Sequence, residues 1–214
     1  MRGGDYMKLY KYPRTPHLPF SPGATSDDKM LDNMDHFIGK QVVVTEKMDG
    51  ENTTIYKNYY HARSLDSAHK SYHSWLLGFI PTIQYKIYPN TRICGEYLYA
   101  KHSIGYDNLK SYFYGFSLWE ENTCLDWFST QDEFKRIGII SVPVLYIGEF
   151  EPDFIKNLAE QTVKRGAEGI VVRVTDSFEY EDFSTSVAKY VRSNHVQTDK
   201  HWAQETIIPN KIQF

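Results

Sequence analysis

A lysine that follows a valine-rich run and stands among acidic residues is the position in this sequence best suited to covalent chemistry. The stretch runs Glu46-Lys47-Met48-Asp49-Gly50-Glu51-Asn52. A neutral lysine amine is a nucleophile, but at an unperturbed pKa of about 10.4 only about one molecule in a thousand is neutral near pH 7.4. Neighbouring cations would lower that pKa. Taken alone, the stretch is more typical of an exposed lysine before an Asp-Gly hairpin turn.

Five further polar clusters follow along the chain, each within or beside a strand-like run. They are Ala62-Arg63-Ser64, Gly95-Glu96-Tyr97, Tyr114-Gly115-Phe116, the stretch 168–173 and the stretch 188–192. In this order they resemble the collinear motifs of the covalent nucleotidyltransferase superfamily, which contains ATP-dependent RNA ligases, DNA ligases and mRNA-capping guanylyltransferases. The K-x-x-G-x-N arrangement from Lys47 to Asn52 looks most like the RNA ligases of the phage RNA ligase 2 type. The resemblance spans about residues 41–192.

The resemblance implies that Lys47 attacks the α-phosphate of ATP, releases pyrophosphate and becomes lysyl-AMP. Lys189, together with Arg192, would supply positive charge that lowers the pKa of Lys47 and stabilises the phosphoryl oxygens. Glu168 matches the acid that helps to hold Mg²⁺ or Mn²⁺, mostly through waters because Mg²⁺ tends to keep its hydration shell. Lys47 and Lys189 are therefore the implied catalytic residues, with ATP and a divalent metal as cofactors.

The same resemblance implies a nucleotide-binding site. It places Glu46 at the adenine edge, Phe116 against the adenine ring and Glu96 at the ribose hydroxyls. Asn52 and Arg63 would touch the phosphate of the nucleotide or the incoming 5′-phosphate. A guanidinium suits that contact because its planar fork pairs with two oxygens.

Each of these residues also has a purely structural interpretation. Glu96 and Glu168 could be solvated acids at strand edges. Phe116 lies in a continuously apolar run and could belong to the core. Arg63 and Arg173 could be surface cations paired with acids.

Two features depart from the superfamily pattern. Its last motif usually has two lysines separated by one residue, whereas here Val191 stands two residues past Lys189 and the next cation is Arg192. In a strand, Arg192 would lie on the opposite face from Lys189. The second departure is that only residues 193–214 follow this motif, too few for the β-barrel domain that DNA ligases and capping enzymes append. This disfavours a GTP-dependent capping-type guanylyltransferase and a minimal DNA ligase, which remain alternatives alongside a noncatalytic nucleotide- or RNA-binding module.

Strands must position these residues, and the sequence contains eight candidates with β-branched and aromatic residues. The predicted strands are 41–49, 52–58, 60–64, 92–100, 112–120, 142–148, 169–174 and 187–192. Helices are predicted at roughly 70–80, at 129–137 with Ser129 or Thr130 as N-cap, and at 152–165 before Gly166. The expected fold class is α+β, with mainly antiparallel sheets and flanking helices that form a nucleotidyltransferase (adenylation) domain.

The length of 214 residues is suited to one domain over residues 1–214, with an irregular arm at 1–35 and a short extension at 193–214. The segment Arg14-Thr15-Pro16-His17-Leu18 suggests an arm that folds over the nucleotide pocket. Cys94 and Cys124 have no metal-ligand or redox spacing, so both are expected to be buried thiols. The histidines, among them His69, His195 and His201, are scattered, and no zinc site is expected.

A net charge of −3 argues against a protein that coats nucleic acid nonspecifically, since that mode neutralises many phosphates. Neither a membrane-spanning run nor a secretory signal is visible, and we expect a cytoplasmic monomer. Its expected substrates are RNA ends that carry a 5′-phosphate and a 3′-hydroxyl. A partner protein that heals the ends before they are joined is a further candidate partner.

Overall fold

Two β-sheets account for most of the regular structure. The structure is a computed structural model that describes residues 8–66, 70–193 and 207–213. His69, His195, His201 and most of the C-terminal extension lie outside the described residues. The first sheet has the strand order β11-β9-β1-β8, and the second has the order β10-β6-β5-β4-β2-β3, with β7 added beside β5. The strands are β1 (Gln41–Lys47), β2 (Glu51–Tyr56), β3 (Tyr60–Ala62), β4 (Thr91–Tyr97), β5 (Phe113–Glu120), β6 (Thr123–Cys124), β7 (Ile140–Ser141), β8 (Val144–Glu149), β9 (Gly169–Val174), β10 (Phe178–Glu179) and β11 (Val187–Val191).

All eight predicted strands are present, and the predicted fold class is confirmed. Within the described ranges, the strand pairs are antiparallel except β5 with β7, which is parallel. The sequence did not reveal β6, β7 and β10, since a strand of two residues is too short to show an alternating pattern.

The long helices flank the sheets close to where they were predicted. They are α1 (Ser74–Ile83), α2 (Trp127–Ile137) and α3 (Pro152–Lys164), and a single turn, α4 (Phe183–Ser186), precedes β11. The predicted N-cap of α2 was wrong, because α2 begins earlier and the Asp126 carboxylate accepts a hydrogen bond from the Ser129 N–H. Aspartate caps as well as serine, and here it reaches the third residue of the helix. None of the described helices is long and apolar enough to cross a membrane.

The helices cover the sheet faces that bury apolar residues. In α1, Leu76, Ile80 and Ile83 pack with Ile55 and Ile93 of the second sheet. In α3, Ile155 and Ala159 lie in the same core cluster as Val42, Val44, Ile170 and Val172 of β1 and β9. Because strand side chains alternate between faces, the intervening residues of β1 and β9 point to the opposite side of the first sheet.

The N-terminal arm is fixed along the free edge of β11. The Leu18 N–H donates to the Lys189 carbonyl at 2.8 Å, and the Lys189 N–H donates to the Pro16 carbonyl at 2.9 Å. The Val191 N–H donates to Ser21 Oγ at 2.9 Å. The arm therefore covers a sheet edge and holds the backbone of Lys189 in place.

Close packing of β9 against β11 leaves no room for a side chain at Gly169. A Cβ added at Gly169 would overlap the carbonyl oxygen of Tyr190, which is backbone and cannot rotate away. We expect Gly169→Ala to lower the free energy of unfolding by about 2 kcal/mol or more, as measured by urea denaturation.

Gly78→Ala is the matched control, because a Cβ added there meets no atom within 4 Å in the middle of α1. It should raise stability by up to about 1 kcal/mol through helix propensity. Equal effects of the two substitutions would contradict the packing argument.

Candidate active site

A cavity of about 440 Å³ lies between the two sheets. From the first sheet, β1 contributes Lys47 and Thr45, β9 contributes Val171, and β11 contributes Lys189. These residues occupy alternate positions of their strands, opposite in phase to the core residues of β1 and β9. The same pleat that buries the valines of the core therefore directs Lys47 and Lys189 into one space.

The central contact of the cavity joins Lys47 to Glu168. In the strand register Lys47 lies opposite Gly169, so the residue just before β9 comes beside the lysine side chain. Lys47 Nζ donates to Glu168 Oε2 at 2.6 Å. The lysine side chain is 23% exposed and that of Glu168 is 0% exposed. The amine thus opens toward the cavity while its carboxylate partner is sealed behind it.

Electrostatics around Lys47 differ from the expectation that neighbouring cations lower its pKa. Burial by itself would lower that pKa, but Glu168, Glu96 and Asp49 together more than offset burial, so the pKa of Lys47 is raised. The prediction was wrong for this state of the protein because it considered the cations and omitted the carboxylates around the amine. Lys47 therefore stays an ammonium ion unless those carboxylates are neutralised or engaged.

Lys189 lies near Lys47 as the motif order implied. Burial lowers the pKa of Lys189, and the positive charge of Lys47 lowers it further. The two side chains both line the cavity, so an anion bound there would meet two ammonium groups. Their mutual repulsion favours an anionic ligand such as a phosphate.

A second carboxylate, Glu96 on β4, completes the acidic side of the cavity. Its Oε1 accepts a hydrogen bond from the Gly50 N–H at 3.1 Å. Burial raises the pKa of Glu96 to about 8, Lys47 opposes that shift, and Glu168 and Asp49 add to it. Asp49 itself accepts hydrogen bonds from Ser103 Oγ at 2.6 Å and from the Ile104 N–H at 2.8 Å.

The structure brings most of the remaining predicted site residues to the same cavity. Asn52, Arg63 and Phe116 line it. Glu46 also lines the cavity; burial raises the pKa of its carboxyl, which Arg165 partly opposes. Together with Lys47, Lys189, Glu96 and Glu168, these residues form one site.

Arg192 is the exception among the predicted site residues. It follows the last residue of β11, and its backbone N–H donates to the Glu168 carbonyl at 3.0 Å. Arg192 is not among the described residues that line the cavity. Its assignment to the nucleotide therefore has no support from the structure, as the one-residue offset from the superfamily pattern suggested.

Two groups of cavity residues were missed by sequence reasoning. Glu51 accepts hydrogen bonds from Tyr72 OH at 2.9 Å and pairs with His73 Nε2 at 2.7 Å and with Lys70 Nζ at 3.3 Å. This cluster depends on contacts between distant segments and has no local signal. Arg173 was interpreted as a possible surface cation but is 5% exposed and lines the cavity. Its signal was a charged residue inside the apolar run of β9.

The arm also contributes to the cavity wall, in agreement with the position predicted for it. Tyr12, Pro13 and Thr15 line the cavity. The Tyr12 ring contacts the Phe116 ring edge-on, with centroids 5.2 Å apart. The arm therefore closes the side of the cavity next to the predicted adenine-stacking residue.

Comparison with known proteins identifies the family. The RNA ligase family model matches residues 40–191 of the chain. No curated protein matches the sequence.

Several solved structures share the fold. An archaeal ATP-dependent RNA ligase is 16% identical with a TM-score of 0.59, covering 86% of this chain and 48% of that chain. A Naegleria gruberi RNA ligase with PPi is 19% identical with a TM-score of 0.55, covering 75% of this chain and 52% of that chain. A mutant of the Naegleria ligase with ATP and Mn gives 18% identity and a TM-score of 0.57, with the same coverage of 75% and 52%. The chain thus spans about half the length of these solved structures.

The first prediction from the site concerns the pKa of Lys47. Glu168→Gln removes the carboxylate that most strongly raises it, while burial and Lys189 remain, so the pKa of Lys47 should fall. The measurement is the pH dependence of Lys47 acylation by a small amine-reactive reagent, followed by peptide mass spectrometry. Half-maximal labelling should shift to lower pH. The control is Glu149→Gln, an exposed strand residue, and no shift in Glu168→Gln would refute the electrostatic account.

The second prediction concerns Glu96 and the pH dependence of stability. Because its folded pKa of about 8 lies above the ordinary value of 4.5, the folded state retains a proton that the unfolded state loses. The contribution of Glu96 to stability is therefore complete below about pH 4.5 and declines as the pH rises toward 8. Glu96→Gln should flatten that decline and exceed wild type in stability at pH 8 by at least about 1 kcal/mol. The measurement is urea denaturation of both proteins across this pH range. If the free energies of unfolding of wild type and Glu96→Gln changed with pH in parallel, the assignment to Glu96 would be wrong.

Proposed function

We propose, since the chain belongs to the RNA ligase family, that it is an ATP-dependent RNA ligase that works through lysyl-AMP at Lys47. AMP would then pass to a 5′-phosphate RNA end, giving an A(5′)pp(5′)RNA end. A 3′-hydroxyl would attack that end, seal the strand and release AMP. Because the chain spans about half of its solved relatives, the complete ligation activity is part of this proposal.

The observation that carries the proposal is the placement of Lys47. Its amine reaches the cavity, and the 2.6 Å hydrogen bond to the sealed Glu168 fixes its direction. A structural lysine paired to a buried acid would have no need of a second lysine and a second carboxylate facing the same space. Lys189 and Glu96 supply them, and both line the cavity. This combination supports a nucleophile beside a phosphate-binding site.

The first step requires that Lys47 lose a proton before it attacks phosphorus. Glu168 Oε2 already accepts the hydrogen bond from Nζ and is an acceptor within reach for that proton. Lys189 would face the phosphoryl oxygens and balance the charge that develops on them. On this view Glu168 first orients the amine and then assists its deprotonation, while Lys189 binds the phosphate.

The residues present also fit a divalent metal bound together with phosphates. Among the residues that the structure describes, no cluster of three or more His, Cys, Asp or Glu side chains could hold a metal ion alone. Mg²⁺ is usually bound by one or two carboxylates with phosphates and waters, and crowding by Glu168 and Asp49 helps to raise the pKa of Glu96. Glu168 and Glu96 are the candidate ligands. When bound, the metal would neutralise negative charge on the phosphates and the carboxylates.

The nucleotide and the RNA end would share the remaining cavity residues. We assign the ribose hydroxyls to Glu96, the base face to Phe116, and the phosphates to Asn52 and Arg63. The Glu46 backbone would lie at the base edge. All of these residues line the cavity, which makes the assignment sterically consistent.

The decisive test is covalent labelling of Lys47. After incubation with ATP and Mg²⁺ or Mn²⁺, intact-mass spectrometry should show an increment of one AMP, and peptide mapping should place it on Lys47. Lys47→Ala should abolish the adduct completely, whereas the exposed-site control Lys156→Ala should retain it. Labelling from GTP alone would indicate a capping-type enzyme, and no labelling from any nucleotide would favour a noncatalytic binding module.

A panel of ends then separates the classes of substrate. Nicked and single-stranded RNA and DNA with 5′-phosphate and 3′-hydroxyl ends should be supplied with ATP. We expect the protein to join RNA ends. If it joined only DNA ends, it would be a DNA ligase instead. An adduct without sealing of any end would point to a missing RNA-binding part or partner protein.

A further inference from the structure

A buried guanidinium, that of Arg173, lines the cavity at some distance from Lys47 along β9. Arg173 lies on β9 opposite Val43 of β1 and Val187 of β11, and all three residues line the cavity. Lys47 is opposite Gly169, four residues from Arg173 along β9. At a strand rise of about 3.3 Å per residue, the two positions are about 13 Å apart along the sheet.

The hydrogen-bonding capacity of this guanidinium is only partly used. Arg173 Nη2 donates to the Leu125 carbonyl, but neither Nε nor Nη1 has a hydrogen-bond acceptor among the described residues. Within the same residues no carboxylate forms an ion pair with it. A buried charged group without enough acceptors is unfavourable, since it has lost water without replacing it. Three N–H bonds, one on Nε and two on Nη1, therefore lack acceptors among the residues that the structure describes.

The walls around Arg173 are aromatic and suited to a flat ring. The guanidinium carbon lies 5.3 Å from the centre of the Phe178 ring and 5.8 Å from that of Trp127. Tyr12 and Trp119 also line the cavity. A free phosphate would gain little from these rings, whereas a nucleobase would stack on them and accept hydrogen bonds at its edge.

We propose that Arg173 donates hydrogen bonds to ring-nitrogen acceptors at the edge of the nucleobase and so determines which bases the enzyme accepts. This inference rests on the proposed function, which places the phosphates of the same nucleotide beside Lys47. The separation of about 13 Å along the sheet suits a nucleoside phosphate with its base at one end and its phosphates at the other.

Specificity follows from the chemistry of the guanidinium, which can only donate. A base that presents an acceptor to Nε or Nη1 satisfies a buried donor, and one that presents an amino group or a C–H leaves it unsatisfied. Hydrogen bonds to charged groups that lose their partner change affinity by about 10-fold to 100-fold. Arg173 therefore selects among bases because a base without a suitable acceptor leaves its N–H groups without hydrogen bonds and binds more weakly.

The test compares ATP with its 1-deaza, 3-deaza and 7-deaza analogues, each of which replaces one ring-nitrogen acceptor by a C–H. In the wild-type protein at least one analogue should bind about tenfold more weakly or more, as measured by calorimetry and by the ATP concentration dependence of Lys47 adenylation. In Arg173→Met and Arg173→Lys that penalty should shrink to within twofold. Thermal unfolding of both variants monitors folding, and Arg173→Lys retains the charge if Arg173→Met proves unstable.

Arg92→Met is the matched control, since Arg92 is equally buried but does not line the cavity. It should keep the full analogue penalty whatever its stability. The inference is overturned if no analogue binds more weakly than ATP, or if the penalty is the same in wild type and in the Arg173 variants. These results differ from failure of the proposed function, in which wild-type protein forms no Lys47 adduct with ATP at all.

Discussion

The whole site depends on the ion pair between Lys47 and Glu168. The register of β1 against β9 puts these residues side by side. Because the Glu168 side chain is fully buried, only the amine of Lys47 is accessible from the cavity. A buried carboxylate is tolerated only when a cation or hydrogen-bond donors compensate it. Lys47 provides that compensation. The same contact that stabilises the acid therefore aims the nucleophile.

This arrangement has a cost for reactivity, since the carboxylates around Lys47 hold its amine in the protonated form. In our account, binding of the nucleotide restores the reactivity of the Lys47 amine. A metal-bound nucleotide would engage Glu168 and Glu96, weaken their hold on the proton and bring the phosphate to Lys189. Such coupling would keep the lysine unreactive until its substrate is present. The two lysines differ in their pKa because burial and then the charge of Lys47 lower that of Lys189, whereas at Lys47 the effect of burial is outweighed by Glu168, Glu96 and Asp49.

Part of the structure and of the site could be predicted from the sequence. Runs of β-branched residues such as 41–49 and 169–174 are long enough to reveal strands, and the alternation of side chains in a strand then puts Lys47 and Lys189 on cavity faces. Motif order selected Glu96 and Phe116, which both line the cavity and which no periodicity would have selected. The one-residue offset is consistent with the position of Arg192, which is not among the described residues that line the cavity. These successes depend on local patterns or on family resemblance.

Most of the failures involve contacts between distant segments. The raised pKa of Lys47 reflects three carboxylates that meet only in the folded chain. Burial of Arg173 depends on Trp127 and Phe178, which belong to other elements, and the cluster around Glu51 joins β2 to the turn before α1. The N-cap of α2 was missed because Asp126 competes with Ser129 at nearly equal propensity. Local sequence cannot rank such alternatives.

A crystal structure determined after incubation with ATP and Mg²⁺ would test the central claim most directly. We expect a covalent bond from Lys47 Nζ to the phosphorus of AMP, Glu168 displaced from its direct contact with the amine, and the adenine lying toward Arg173. A Lys47 side chain still paired to Glu168, with the nucleotide bound elsewhere or absent, would contradict the account.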